Sequence, residues 1–179
     1  MSIFVKNSIR FIIFILFQAL VLNKIPPLHQ FIVPYVYFLY LLWLPFNTNR
    51  LGLLVVAFLF GLSLDYFTNT PGLHAAPCVL IAYIRPFLIN VVIRRNEIEA
   101  HQVEPSIVSM GWIPYLTYVF LLTFLHHSCL VLIEWLQFGS FWYFMGKTLA
   151  TTAISMLLIV ITELLFYRKM DKRKRMQLF

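Results

Sequence analysis

The chain has 179 residues, of which 61% are hydrophobic and 12% charged, and its formal net charge is +7. Soluble domains carry about twice that share of charge, and a chain this small has too much surface to keep so many apolar side chains out of water. The composition excludes a soluble domain and makes the bilayer the fitting solvent. It also excludes a nucleic-acid surface. Six of the fourteen basic residues crowd into one run, Arg168, Lys169, Lys172, Arg173, Lys174 and Arg175, whereas nucleic-acid binders spread charge over a folded face.

Taken in chain order, Lys6 and Arg10 precede the apolar run Phe11 to Leu22. A secretory signal reads the same way. The following Asn23-Lys24-Ile25-Pro26-Pro27 offers no small-residue cleavage site, so the run is read as an uncleaved spanning helix from about Ser8 to Leu22. A second, short span is expected from Phe31 to Leu44, with Pro34 in its first turn, where proline is tolerated. Further spans are expected over Arg50 to Phe67, Gly72 to Ile93, Trp112 to Trp135 and Phe141 to Tyr167. Each approaches the roughly 20 apolar residues a crossing needs, and the alternating ten-residue segments of a membrane barrel are missing.

The expected fold is therefore an all-α membrane protein: a six transmembrane helix bundle over residues 1–167 with a basic tail at 168–179. The connections are short, and the longest, Arg94 to Gly111, carries Glu97, Glu99 and Glu104. With the N-terminus inside, the cytoplasmic segments hold Lys6, Arg10, Arg50, Arg94, Arg95 and the six tail residues, while the outer loops hold only Lys24. Basic residues concentrate on the cytoplasmic side, so both termini are placed there (N-in/C-in) and the protein in the bacterial inner membrane. The tail reads as a topology signal and a contact for anionic lipid.

Charged groups at the centre of a span are costly and need a partner or a cavity. At about 100° per residue, Ala57, Gly61 and Asp65 form one stripe, His74, Cys78 and Arg85 another, Thr123, His127 and Glu134 a third, and Thr148, Thr152, Ser155 and Glu163 a fourth. Four successive helices thus turn polar faces inward. Depth suggests an inner buried pair, Arg85–Glu163, and an outer polar cluster around Asp65 with His74, His127, Glu134 and Lys147. Pro86 should kink the fourth span and free a carbonyl.

Plainer readings stand beside these. Cys78 and Cys129 are small buried hydrophobes. His126-His127 with Glu134 or His74 has the donors for a metal but no closed ligand spacing, so these residues are read as hydrogen-bonded core groups. A carboxylate at a helix end, such as Asp65, usually caps a neighbour. Glu134 and Lys147 sit near the outer interface and can reach water. Trp112, Trp135 and Trp142 sit at helix ends, as an aromatic belt requires. There is no Gly-rich phosphate loop, nucleophile elbow or metalloprotease motif. The expectation is a non-enzyme without metal or cofactor.

The stretch Gly61-Leu62-Ser63-Leu64-Asp65-Tyr66-Phe67-Thr68-Asn69-Thr70-Pro71-Gly72-Leu73-His74-Ala75 resembles the rod shape-determining protein MreD family. That family has a glycine, an aspartate four residues on, and a Gly-Leu or Leu-Gly turn into the next helix. Here Gly61, Asp65 and Gly72 fill those positions, with the turn in the Gly-Leu order. Size and expected topology agree over most of the chain. The resemblance implies a non-enzymatic scaffold that binds MreC in the elongasome. Its other neighbours would be RodA, the partner penicillin-binding transpeptidase and, indirectly, the MreB filament; the role is lateral peptidoglycan synthesis and rod cell shape. It also implies a fold like the substrate-binding membrane subunit of energy-coupling-factor transporters. That subunit is itself the rival reading, with a ligand pocket near the outer side lined by Asp65, His74 and Glu134.

Overall fold

A computed structural model describes residues 3–25, 34–92, 104–138 and 141–165. The expected tail, from Arg168 to Arg175, lies outside the described residues, as do Arg94, Arg95, Glu97 and Glu99. Among the described residues the regular structure is helical. It comprises α1 (Ile3–Leu20), a 3-10 turn (Leu22–Lys24), α2 (Leu39–Leu42), α3 (Arg50–Thr68), α4 (Ala75–Val92), α5 (Ile107–Met110), α6 (Trp112–Phe138) and α7 (Phe141–Leu165). Among the described residues five stretches are long and apolar enough to cross a membrane: Phe4–Lys24, Arg50–Thr68, Ala75–Val92, Trp112–Glu134 and Phe141–Leu165. The chain is a multi-pass membrane protein.

The helices bury one stripe each. In α1 the inward residues are Ile15, Gln18 and Ala19, continued by Leu22 in the 3-10 turn, the i, i+3, i+4, i+7 pattern of a one-sided helix. Around them Ile12, Ile13, Leu16, Phe17 and Leu20 are exposed, as lipid contact allows. In α3 the buried stripe is Leu53, Ala57, Phe60, Gly61, Leu64 and Asp65. α3 packs on α4, α4 on α6 and α6 on α7, while α1 lies against α3. Asn49 caps the start of α3 by accepting from the Leu51 N–H, and Asn69 ends it in the left-handed conformation at φ 54°. Ser106 and Ser109 form a reciprocal cap on α5, inside what reads in sequence as an open loop.

One expected span differs. Of the second helix, Phe31 to Leu44, residues 31–33 lie outside the described part, and the rest contains only the single turn α2. Among the described residues the bundle thus has five long helices around a sixth, mostly non-helical segment. Every residue from Tyr35 to Leu44 is buried. Its apolar run signals burial, but the burial is by protein rather than lipid. Non-helical backbone is tolerated at membrane depth only in that setting, where side chains satisfy its polar groups.

That segment runs along the bundle axis. Its start meets the far end of α1 through Gln18. Its end meets the near end, where the Arg10 guanidinium lies 5.7 Å from the Trp43 ring centroid. Tyr37 pairs with His126 and Trp43 with Tyr115, positions separated on α6 by about 16 Å of helical rise. At the Trp43 end, Lys6 and Arg10 both bind Glu104, at 2.8 and 3.0 Å, which ties the start of α1 to the approach to α5.

Candidate functional site

The turn between α3 and α4 is built around Asp65. Its carboxylate accepts from the backbone N–H groups of His74 (2.8 Å), Gly72 (3.0 Å) and Ala75 (3.0 Å). The His74 Nδ1 lies 2.8 Å from Oδ1, and the Thr70 hydroxyl donates at 3.3 Å. The side chain at the end of one spanning helix thus caps the beginning of the next, meeting N–H groups that a helix start leaves unpaired. An ionised carboxylate only accepts, so the proton on Nδ1 of His74 belongs to this contact.

Two glycines make the turn possible. A Cβ on Gly61 would stand 2.7 Å from the His74 carbonyl oxygen and 2.8 Å from the Ala75 nitrogen, with the Ala75 Cα closer still. Only hydrogen fits where α3 meets the backbone entering α4. Gly72 has φ +87°, a region side chains disfavour. Gly61, Asp65 and Gly72 therefore form one physical unit.

The second constellation surrounds the non-helical segment. Gln18 donates to the Pro34 carbonyl (3.1 Å) and accepts from the Val36 and Tyr37 N–H groups (3.0 and 3.3 Å). Ser155 accepts from the Tyr35 N–H. Tyr118 donates to the Leu42 carbonyl at 3.0 Å, and Arg85 donates through Nη2 to the Leu44 carbonyl and through Nε to Tyr118. Side chains from α1, α4, α6 and α7 thus supply partners that an α-helix would have supplied itself.

This arrangement separates the expected pair Arg85–Glu163. Both are buried, at 2% and 8% exposure. Arg85 is used on the Leu44 carbonyl and Tyr118. Glu163 accepts from the Ile107 N–H (3.3 Å) and the Tyr115 hydroxyl (3.0 Å), which in turn accepts from the Trp43 indole. The reason is competition: unpaired backbone groups at the end of the central segment and at the start of α5 are nearer partners than the opposite charge.

The expected outer polar cluster divides into three parts. His74 belongs to Asp65. Glu134 and Lys147 form an ion pair at 2.5 Å. His127 lies in a buried chain of its own: Tyr37 Oη to His126 Nε2 (2.9 Å), His126 Nδ1 to His127 Nδ1 (3.2 Å), and His127 Nε2 to Ser155 Oγ (3.0 Å). With neutral rings, one nitrogen of each donates and the other accepts. The chain then has two self-consistent settings, which reverse together. Tyr35 lies between the parts, its ring centroid 6.0 Å from His74 and 5.9 Å from His127. Among the described residues the hydroxyls of Thr123, Thr148 and Thr152 are buried without a hydrogen-bond partner, unlike Thr151 and Thr162, which bond back one turn.

Of the two cysteines, Cys78 is buried and Cys129 only partly so, and both are free thiols. Among the described residues no group of three or more His, Cys, Asp or Glu is placed to hold a metal ion. Sequence reading singled out Gly61, Asp65 and Gly72 and passed over Gln18, Tyr35, Tyr37, Tyr115 and Tyr118. Gln18 carried a usable signal: it is the one amide inside the apolar run Phe11 to Leu22. Chemically, the site holds backbone in place; its strongest acceptor, Asp65, is already saturated by donors. No protein-family model matches the chain, and neither a curated protein nor a solved structure matches it.

Proposed function

We propose that this membrane protein is a non-enzymatic scaffold of the MreD type, acting with MreC in cell-wall elongation. One observation carries the reading. The three positions of the family motif form a single structural unit in which Gly61 admits the backbone, Gly72 supplies the turn and Asp65 caps α4. A motif used in this way maintains a fold and leaves no acidic group for chemistry. Interaction would then fall to the apolar outer faces, of which α1 is the barest, with Phe4 80%, Ile13 57% and Leu20 58% exposed. The partner helix of MreC would pack there. Without a hydrophobic drive in lipid, such packing rests on shape and dispersion. RodA, the transpeptidase and the MreB filament would be reached through that assembly.

The charge asymmetry supports N-in/C-in placement in the inner membrane, with the tail residues Arg168 to Arg175 at the anionic cytoplasmic surface. Depletion of the protein is expected to round rod-shaped cells, and an MreC-type protein is expected to co-purify with the full chain. Normal rods after depletion, together with no such co-purification, would refute the proposal.

A second reading keeps one specific observation in its favour. Among the described residues Thr148 and Thr152 are buried without hydrogen-bond partners, and they sit within about two turns of Lys147 on the same helix. A transporter subunit of the energy-coupling-factor type would use such hydroxyls to hold a small polar solute beside Glu134–Lys147. Asp65 and His74, expected in that pocket, are already engaged with each other. Mass spectrometry of the purified protein for a co-purifying vitamin-sized solute separates the two readings.

A further inference from the structure

A groove of about 450 Å³ lies between the start of α3 and the end of α4, lined by Arg50, Leu54, Tyr83, Pro86, Phe87 and Asn90. The two helices meet backbone to backbone at Gly61 and Ala75, and the groove lies toward the opposite end of that contact. Its mouth opens among side chains that face away from the bundle: Tyr83 is 73% and Phe87 67% exposed. Both helices are long and apolar enough to span the membrane, so the medium at this mouth is the bilayer.

The lining is graded with depth. Arg50 is the first residue of α3, and Asn90 lies in the last turn of α4. Both therefore sit at the headgroup end. Leu54 is one turn deeper on α3, and Tyr83 is nearly two turns deeper than Asn90 on α4. The groove thus has a polar, cationic mouth and an apolar floor. Among the described residues no acidic residue lines it, and no hydrogen bond or ion pair engages the Arg50 guanidinium. The N-terminal end of α3 adds its own partial positive charge at the same level.

We infer that this groove holds one anionic phospholipid, its phosphate against Arg50 and one acyl chain along Leu54, Tyr83 and Phe87. The inference rests on the protein spanning a membrane and is independent of any role in cell-wall growth. It is also distinct from the contact of the basic tail with the membrane surface, which needs no groove. A zwitterionic phospholipid would fill the same floor, but its headgroup ammonium would offset the phosphate charge that Arg50 meets.

The test uses the full-length protein in mild detergent, incubated with an equimolar mixture of phosphatidylglycerol and phosphatidylethanolamine and examined by native mass spectrometry. One retained phosphatidylglycerol is expected, preferred about fivefold, the discrimination of a single basic residue near a charged headgroup. Arg50→Gln should bring the two lipids to parity, and Leu54→Trp should reduce retention of both by filling the floor. A variant with all six tail residues from Arg168 to Arg175 changed to Gln should keep the preference. Arg50 is exposed, so the Gln variant is expected to melt like the parent. Undiminished preference in Arg50→Gln would overturn the assignment. Loss of preference in the tail variant alone would also do so, as would a lipid-free dimer closing the groove.

Discussion

Replacing Gly61 by alanine tests whether the α3–α4 contact is as close as its backbone geometry implies. The added Cβ would lie 2.7 Å from the His74 carbonyl oxygen and 2.8 Å from the Ala75 nitrogen, roughly 0.8 Å short of a normal 3.5 Å contact. The obstructing atoms are backbone, so no rotamer change relieves them and the start of α4 must move. Asp65 holds the same two residues through N–H bonds of 2.8 and 3.0 Å, and a shift of that size stretches both beyond useful length. Overpacking alone costs about 1–3 kcal/mol, and weakening a hydrogen bond to a charged group adds about 1.5–3. A loss of roughly 3 kcal/mol or more is expected. Gly52→Ala is the internal control, because its Cβ meets only the Asn49 Cβ at 4.0 Å. In a helix that change stabilises by about 0.5–1 kcal/mol. Reversible unfolding in mixed micelles with increasing denaturing detergent, followed by circular dichroism, compares the two. The reasoning fails if Gly61→Ala and Gly52→Ala unfold at the same detergent fraction.

Asp65→Asn exchanges one accepting oxygen for a donor that faces N–H groups, and in the same assay should lose about 2–4 kcal/mol; unchanged unfolding would show that the cap contributes little. A double-mutant cycle between Arg85 and Tyr118 is expected to give a coupling above 1 kcal/mol, larger than the coupling between Arg85 and Glu163; the reverse order would reinstate the direct ion pair. Gln18→Leu should leave the Pro34 carbonyl and the Val36 and Tyr37 N–H groups without partners, at about 1–3 kcal/mol each. Protease cleavage near residues 34–44 should then become faster than in the parent, and an unchanged rate would mean that Gln18 is dispensable there.

Much of this was legible in the chain. Hydropathy located the five long helices because each is a long apolar run; the expected Arg50 to Phe67 is observed as Arg50–Thr68 and the expected Gly72 to Ile93 as Ala75–Val92. The expected span Phe31 to Leu44 departs from the structure over Tyr35 to Leu44 because apolar character reports removal from water and says nothing of which backbone geometry is removed. The burial of Asp65, Arg85 and Glu163 follows from helical spacing, but their partners do not. A side chain chooses among backbone groups as well as other side chains, and unpaired backbone groups arise only where a helix breaks, as at Leu44 and before α5. The Gly61–Asp65–Gly72 turn is the exception. All its partners lie within fifteen residues, so local sequence records it.

The way Tyr35 is held bears on how the protein is made. Its N–H is met by Ser155, a residue of α7, which leaves the ribosome after α1 to α6. Until then the centre of the bundle contains an unmet donor in a water-poor place, and the earlier helices enclose a gap. Arrival of α7 is therefore a completion step: it closes the interior, and a nascent chain halted before it would present the cell's membrane proteases with an unfinished core.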